Sequence, residues 1–338
     1  MRTHMKNFLK FICFALIVIV TMLYLNQVFL YDDDSVWSTD ARVEVYQELP
    51  ENSLDVLFVG SSNVMSGINP VQLWDETGIQ SYAYCSRAQT FPFAYAYIQD
   101  ALKTQNPECI ILDAYSVFSS KETNGLANGE FHLGVNMDSL SLKAKAELVN
   151  NYVEWEERIA YYFPLFKNHN LFKSWESGED VTDQIYMGYC YADGIEYFET
   201  PQYSDAVSPM CEADEKYLKK IIDLCNEEGV DLMVIKTPVV YSDAEHSVLN
   251  SVKELCEAEN VLFYDMSMDA SEWGFDFQSD MLNFFHNNTT GAAKITTRLG
   301  EILTEMYDFS ESETHQYART WQDEFVRMTE FRTLNAAQ

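Results

Sequence analysis

The sequence predicts an α/β protein with a parallel sheet of about five strands, preceded by one transmembrane helix. Two observations predict the sheet: five short apolar runs have the length of buried strands, and amphipathic helical patterns lie between most of them. A third observation, a long apolar stretch near the N-terminus, predicts the membrane helix. Because strands alternate with helices, the sheet is expected to be parallel, with ligands bound beyond the carboxyl ends of its strands.

The N-terminal apolar stretch runs from Phe8 to Leu30 and is long enough to cross a hydrocarbon core. Three basic residues, Arg2, Lys6 and Lys10, precede it, and Asp32–Asp34 follow it directly. Positive charge before a span is typical of a cytoplasmic N-terminus, which places the body outside the cytoplasm. A cleaved signal peptide is the alternative, but it would have a shorter apolar core and small residues at its cleavage site.

The order of the predicted elements follows the apolar patterns along the chain. The predicted strands are Leu54–Val59, Tyr82–Cys85, Cys109–Leu112, Leu232–Ile235 and Val261–Tyr264. The predicted helices are Phe93–Thr104, Glu215–Glu228, Val248–Glu257 and Gly291–Leu303. Gly229 follows the second of these helices as its stop signal, and Thr289 or Thr290 opens the last one.

Three segments are predicted from these patterns. Residues 1–31 form a cytoplasmic stub and membrane anchor, residues 32–310 the α/β domain, and residues 311–338 a polar C-terminal tail. Residues 116–212 interrupt the alternation of strands and helices. Rows of aromatic side chains in this segment suit either a helical insertion packed on the domain or a surface that binds sugar rings: Tyr152, Trp155, Tyr161, Tyr162, Phe163, Phe166, Phe172, Trp175, Tyr186, Tyr189 and Tyr191.

Composition limits the classes of function. The chain has 22 Lys and Arg against 53 Asp and Glu, a net charge of −31, which repels nucleic acid and anionic lipid. Hydrophobic residues make up 47% of the chain, enough to form a core. The seven cysteines form no CxxC pair, so we expect buried thiols rather than a disulfide framework. No spacing of ligand residues predicts a metal or another cofactor.

Two local patterns place chemistry at the carboxyl edge of the sheet. The first strand runs into Gly60-Ser61-Ser62-Asn63, where glycine allows a tight turn that presents a hydroxyl. A helix N-cap is the alternative explanation for serine at such a turn. Near the C-terminus, His286 precedes the last predicted helix and faces the same edge. A serine and a histidine there form a possible nucleophile and base pair.

The order and spacing of these motifs resemble the SGNH/GDSL hydrolase superfamily, over most of residues 54–305. The chain is most similar to its membrane-anchored, extracytoplasmic branch, related to teichoic-acid D-alanine-transfer and alginate O-acetylation proteins. The motifs that carry the resemblance are Gly60-Ser61-Ser62-Asn63, Ile68-Asn69-Pro70, Leu73-Trp74-Asp75-Glu76, Ala101-Leu102-Lys103-Thr104-Gln105, a strand ending at Asp113, Lys236-Thr237-Pro238, and His286-x-Asn288-x-x-Gly291-Ala292.

The resemblance implies a flavodoxin-like, three-layer α/β/α fold with Ser62 as nucleophile and His286 as base. The sequence departs from the family pattern at three places. Asn283 stands where the family has aspartate, so Asn283, or alternatively Asp280, is expected to orient the imidazole. The family's oxyanion-hole glycine falls near Cys85, and no asparagine follows the strand that ends at Asp113. The residues expected around the oxyanion and substrate are Cys85, Ser86, Gln89 and Asn63.

The function implied by the resemblance is that of an extracytoplasmic esterase or O-acyltransferase. Its substrate would be an acylated cell-envelope or exported glycan, or a small acyl ester, and no cofactor is required. The alternative is a catalytically degenerate member that binds glycan or scaffolds a multi-span membrane O-acyltransferase. In either case the chain is expected to be a single-pass protein of the cell membrane.

Overall fold

The computed structural model describes residues 2–29, 35–118, 124–169, 181–310 and 312–336. Three parts of the sequence analysis therefore lie outside the described residues: the aspartates Asp32–Asp34, Phe172 and Trp175.

A five-stranded parallel sheet forms the centre of the body, and this confirms the predicted α/β fold class. The strand order is β2-β1-β3-β4-β5, and every neighbouring pair is parallel. The strands are β1 (Val56–Gly60), β2 (Ser81–Cys85), β3 (Cys109–Asp113), β4 (Asp231–Lys236) and β5 (Leu262–Asp265).

The sheet forms from near-continuous apolar runs because helices cover both of its faces. All residues of β1, β2 and β3 are buried, whereas β4 is buried in its last four residues and β5 at the edge is partly exposed. A strand that is covered on both faces has no polar side, so its sequence reads as an uninterrupted apolar run. For this reason the predicted strands agree with the observed ones to within two residues at each end.

Helices flank the sheet in two groups, giving three layers. Helices α5 and α10 contact each other, and α12 contacts α3 and α4. The helices between the anchor and the insertion are α2 (Thr39–Gln47), α3 (Ser62–Gly67), α4 (Pro70–Thr77) and α5 (Phe91–Ala101). Those after the insertion are α10 (Glu212–Glu228), α11 (Asp243–Ala258), α12 (Thr289–Met306) and α13 (Ala318–Ala336).

Several helices begin before their first predicted residue because polar capping residues precede the apolar pattern. Ser242 and Glu245 form a capping box at the start of α11, five residues before the predicted start. Cys211 caps α10 in the same way, through its sulfur.

The segment between β3 and β4, predicted as an insertion at residues 116–212, has a helical first half and an extended second half. The helices are α6 (Glu130–Asp138), α7 (Leu142–Tyr152), α8 (Arg158–Tyr162) and α9 (Pro164–Asn168). After the turn of 3-10 helix at Thr182–Gln184, the chain continues to α10 without a further helix or strand. This part borders the sheet edge, since the Ala83 N–H donates to the carbonyl of Met187 over 2.9 Å. The helical insertion is thus only half of the predicted segment.

The C-terminal segment packs onto the domain, a feature that its polar sequence does not predict. Trp321 of α13 is fully buried and its Nε1–H donates to the carbonyl of Ser81 over 3.2 Å. Ser312 and Thr314 donate to the carboxylate of Asp55, at 2.6 and 2.7 Å, directly before β1. The segment therefore closes the domain beside β1 and β2.

The N-terminal helix α1 (Arg2–Val28) stands apart from this core. Its window His4–Asn26 has a mean hydropathy of 2.5, none of it buried, so the described chain has one helix long and apolar enough to span a membrane. Two hydrogen bonds join its exit to the insertion: Asn26 Nδ2 donates to the carbonyl of Tyr162, and Asn168 Nδ2 to that of Phe29.

The first prediction concerns the C-terminal helix. Trp321→Ala removes a fully buried indole and is expected to lower the free energy of unfolding by about 3–5 kcal/mol. The measurement is denaturation of the detergent-solubilised chain, followed by near-ultraviolet circular dichroism. Val326→Ala, at a position of the same helix that is 47% exposed, is the control and should change little. Equal stability of the Trp321 variant and the parent would contradict the packing of α13 on the sheet.

Candidate active site

The turn from β1 into α3 presents Ser62 at the carboxyl edge of the sheet. A Cβ on Gly60 would lie 2.6 Å from Val64 Cγ2 and 2.7 Å from Asp113 Cβ, so only glycine fits there. Ser61 then caps the helix, its Oγ accepting the N–H of Asn63. Ser62 is the first residue of α3 and is half-buried. The capping role that the sequence left open for a serine thus falls to Ser61, and the Ser62 hydroxyl is free for other contacts.

A short antiparallel hairpin presents His286 from the other side. Its strands are β6 (Met281–Asn283) and β7 (His286–Asn287). Asn288 fixes the hairpin to the domain: its Oδ1 accepts two N–H groups at the start of α12, and its Nδ2 donates to Gly194 and Ser279 carbonyls, both over 2.8 Å.

The two predicted reactive side chains are in direct hydrogen-bond contact, although 224 residues separate them in sequence. Ser62 Oγ lies 2.8 Å from His286 Nε2. On the other side of the ring, His286 Nδ1 lies 3.0 Å from Asn283 Oδ1. The three side chains therefore form a continuous hydrogen-bonded line, the arrangement that a nucleophile, a base and an orienting group require.

The surroundings of Asn283 determine which imidazole nitrogen carries the proton. Asn283 Oδ1 also faces the backbone N–H groups of Phe285 and His286, at 2.9 and 3.1 Å. Because backbone N–H groups only donate, the atom facing them must be the amide oxygen. That oxygen can accept from Nδ1 only if Nδ1 bears hydrogen. Nε2 is then the acceptor, and the Ser62 hydroxyl donates to it.

The charge state of His286 suits a base. Burial lowers the pKa of His286 to about 4, and no charged neighbour contributes to this shift. The ring is therefore neutral at neutral pH, with a free lone pair at Nε2. Burial without a nearby carboxylate also means that the imidazolium formed during proton transfer receives no ionic stabilisation.

Asp280, the alternative orienting residue, does not serve that function. Its carboxylate forms an ion pair with Lys294 at 2.6 Å and accepts the backbone N–H of Asp276 at 2.7 Å. Its remaining oxygen accepts the hydroxyl of Ser279. Six residues upstream of the histidine, the Asp280 carboxylate is thus occupied by Lys294, Asp276 and Ser279, whereas Asn283 is the residue in contact with the imidazole.

The expected oxyanion donors near the end of β2 are engaged in structural contacts. The Ser86 N–H donates to the carbonyl of Gly60 and thereby extends the β1–β2 ladder. The Cys85 N–H points to the opposite side of β2, because amides alternate along a strand. The Cys85 thiol is buried, and burial raises its pKa to about 12. Neither of these two backbone N–H groups is therefore directed at the Ser62 hydroxyl in this structure.

The side chains of Ser86 and Gln89 join a buried polar network instead. Gln89 Nε2 donates to Ser86 Oγ over 3.1 Å, and the Ser86 hydroxyl donates to Asn136 Oδ1. Asn136 Nδ2 in turn donates to the carbonyls of Arg87 and His132, each over 2.8 Å. This network connects the end of β2 to α6, and the side chains of Ser86 and Gln89 are buried within it.

Two buried polar groups beside the nucleophile turn remain available. The Asn63 side chain is fully buried, and neither its oxygen nor its nitrogen has a hydrogen-bond partner among the described residues. Asp113, at the end of β3, lies against Gly60, and burial raises the pKa of its carboxyl group to about 7. Its Oδ2 also lacks a partner in the described part of the chain.

One residue of the site has no signal in the sequence motifs. The ring of Trp37 lies over His286, with centroids 5.1 Å apart and the planes inclined by 53°. Trp37 stands between the apolar helix and the first strand, where no catalytic motif occurs. A lone tryptophan just beyond a membrane span is also typical of an interfacial anchor, so its sequence context indicates a different role.

Comparison with known proteins adds little to this geometry. No protein-family model matches the chain, and no curated protein matches it. Among solved structures the chain is similar to a protein from Desulfitobacterium hafniense DCB-2, described as a lipolytic protein of G-D-S-L family. The similarity covers 75% of this chain and 100% of that one, at 9% identity and a TM-score of 0.40. Within the described residues, no group of three or more His, Cys, Asp and Glu could hold a metal ion.

The second prediction concerns Asn283. In Asn283→Asp a carboxylate would accept the same three N–H groups and stabilise the imidazolium. We expect the pKa of His286 to rise above about 4 and kcat/KM for a small acyl ester to rise about tenfold. In a serine protease, replacing the aspartate by asparagine lowers the rate by roughly 10⁴, because the asparagine imposes the wrong imidazole tautomer. The expected gain here is smaller, because Asn283 already holds His286 in the tautomer with hydrogen on Nδ1.

The pKa is measured by NMR titration of the labelled imidazole, and the rate is measured with and without Ser62→Ala. Asn226→Asp, which makes the same charge change on the exposed side of α10, is the matched control. An unchanged His286 pKa in Asn283→Asp would mean that the carboxylate does not meet the ring.

Proposed function

We propose that this chain is a serine acyl-ester hydrolase or O-acyltransferase that acts on the outer side of a cell membrane. The substrate we propose is an acylated cell-envelope or exported glycan. The single observation that carries the proposal is the Ser62 hydroxyl 2.8 Å from His286 Nε2, with Nδ1 fixed by Asn283. The resemblance of the sequence motifs to SGNH/GDSL hydrolases supports the same reaction class.

The acylation step follows from the protonation pattern. Ser62 Oγ attacks the ester carbonyl carbon while its proton moves to His286 Nε2, and the carbonyl oxygen takes up the negative charge. Asn283 Oδ1 keeps its hydrogen bond to Nδ1–H, so the ring does not rotate during the transfer. Collapse of the tetrahedral intermediate breaks the bond to the leaving oxygen, which receives the proton from Nε2. The product is an acyl-enzyme at Ser62.

The second step distinguishes hydrolysis from transfer. In hydrolysis water gives a proton to Nε2 and attacks the acyl carbon, whereas in transfer a sugar hydroxyl does so. Both routes return the proton to Ser62 Oγ and use the same three side chains. Asn63, with its uncommitted buried amide, is the residue we propose as a donor to the oxyanion.

The alternative is a catalytically degenerate SGNH protein that binds glycan or scaffolds a membrane O-acyltransferase. Two observations favour it: the orienting residue is a neutral amide, and the Ser86 N–H is consumed within the sheet. An imidazole with a pKa of about 4 is also a weak base. Among the described residues, no carboxylate contacts it to stabilise the positive charge that the ring gains in the transition state.

The third prediction separates these two functions. A fluorophosphonate probe is expected to label the full-length chain at Ser62, because His286 Nε2 is placed to accept the serine proton. Ser62→Ala should abolish labelling, and His286→Ala should slow it by about 10³ or more. The measurement is the rate of probe incorporation, with the modified residue located by mass spectrometry.

Ser310→Ala and His315→Ala alter an exposed serine and an exposed histidine and serve as controls that should label like the parent. Absence of labelling in a folded parent chain would overturn the enzyme proposal in favour of the degenerate binding protein.

The fourth prediction concerns topology. We propose that α1 is an uncleaved membrane anchor with its N-terminus in the cytoplasm, supported by three basic residues before the span and Asp32–Asp34 after it. Protease added outside intact cells should digest the body and leave a small anchored stub. A cytoplasmic protein, probed in the same samples, controls for lysis. Protection of the body until the cells are permeabilised would contradict this orientation.

A further inference from the structure

We propose that Trp37, on the segment that leaves the membrane helix, is a positioning residue for His286. This inference rests on the proposed function and adds to it, because it makes the exit of the anchor one wall of the active site. No motif of the sequence points to this residue, and none of the mechanism above uses it.

The first observation is the contact itself. The indole ring of Trp37 lies 5.1 Å from the imidazole ring of His286, between centroids, and is half-buried. Asn283 and Ser62 hold the two nitrogen atoms of that imidazole from opposite sides. The indole is therefore a third, apolar contact, and it limits the access of water to the ring.

The second observation is that the backbone of this segment is held in place at three successive carbonyls. Arg42 donates from its guanidinium to the carbonyls of Val36 and Ser38, at 2.8 and 2.7 Å. Arg87 donates from Nε to the carbonyl of Trp37, at 3.2 Å. Two arginines that converge on three consecutive residues leave the backbone at Trp37 little freedom, so the indole position is determined before substrate binds.

Both arginines connect the segment to the sheet. Arg42 is fully buried and its Nε also donates to the carbonyl of Gly188, beside the edge strand β2. Arg87 follows β2 by two residues, and its second nitrogen donates to Ser35 Oγ at 2.7 Å. The anchor exit is thereby attached to the carboxyl edge of the sheet, where Ser62 and His286 meet.

The segment also limits the distance between the site and the membrane. Trp37 comes nine residues after the end of α1 at Val28, and a fully extended chain of nine steps spans about 30 Å. Because Trp37 touches His286, the candidate site lies within about that distance of the end of the apolar helix. Esters carried at the membrane surface are within its reach.

The electrostatic consequence concerns the protonation of His286. Charged side chains of the surrounding elements have contacts of their own: Arg42 and Arg87 with backbone carbonyls, Lys294 with Asp280, and Asp40 with Ser139. The Asp113 carboxyl group, buried beside Gly60, does not contribute to the pKa of His286. Burial is therefore the cause that keeps the pKa of His286 low. Removing the indole exposes the ring, so the pKa should rise toward its ordinary value near 6.5.

The fifth prediction tests this inference on the full-length chain in detergent or nanodiscs. In Trp37→Ala the midpoint of the His286 NMR titration should rise by about one pH unit or more. At pH 5 the rate of fluorophosphonate labelling should fall further than at pH 8, by about twofold for a midpoint shift of one pH unit and about tenfold for a shift of two, because a protonated imidazole cannot accept the serine proton. Trp37→Phe retains a ring over the imidazole and should stay close to the parent in both measurements.

One control and one supporting variant make the result specific. Trp155→Ala removes an indole that is 73% exposed on the insertion and should change neither the titration nor the pH profile. Arg87→Met removes the hydrogen bonds to Trp37 and Ser35 while leaving the indole in the chain, and should shift the His286 midpoint in the same direction as Trp37→Ala.

The outcomes separate this inference from the enzyme proposal. If the folded Trp37→Ala chain titrates and labels with the pH profile of the parent, Trp37 does not position His286 and the inference is overturned. If the parent is never labelled, the enzyme proposal fails, yet the NMR titration still tests the contact. Should Trp37→Ala not fold, the comparison of Arg87→Met with the parent decides the question.

Discussion

The amide oxygen of Asn283 is the contact on which the candidate site depends. It accepts two backbone N–H groups of its own hairpin turn and the Nδ1–H of His286. Those backbone donors prevent the amide from flipping, and a fixed oxygen requires hydrogen on Nδ1. Nε2 is therefore free to accept from Ser62. In a catalytic triad the carboxylate both orients the imidazole and stabilises the imidazolium. The neutral amide of Asn283 orients the ring but has no charge that would stabilise an imidazolium.

Around this contact, buried polar side chains join parts of the chain that are distant in sequence. Asn288 connects the hairpin to α12 and to residue Gly194, and Asn136 connects α6 to the end of β2. Arg42 and Arg87 attach the segment after the apolar helix α1 to the same edge of the sheet. The site is consequently assembled from the segment after α1, the carboxyl edge of the sheet, the β6–β7 hairpin and the start of α12, so a change in any of them can reach His286.

The sequence predicted the sheet well and its surroundings less well. Strands covered on both faces are apolar throughout, which makes them visible without an alignment. Helix starts were placed late where capping residues such as Ser242 precede the apolar pattern. The C-terminal helix was missed because most of its residues are polar. Its buried side is a narrow row of Trp321, Phe325 and Met328 at helical spacing, and these three residues do not stand out in a polar segment.

For the site, the sequence by itself determined the chemical types and their edge of the sheet: Ser62 after a buried strand, His286 before α12, and asparagine three residues upstream. Parallel topology is enough to bring two such loops together. Only the tertiary structure decided the rest. Three features came from the fold alone: the direction of the Asn283 amide, the hydrogen bond of the Ser86 N–H within the β1–β2 ladder, and the position of the Trp37 indole over His286. They depend on contacts within the folded chain, mostly between residues distant in sequence, and local sequence patterns do not predict such contacts.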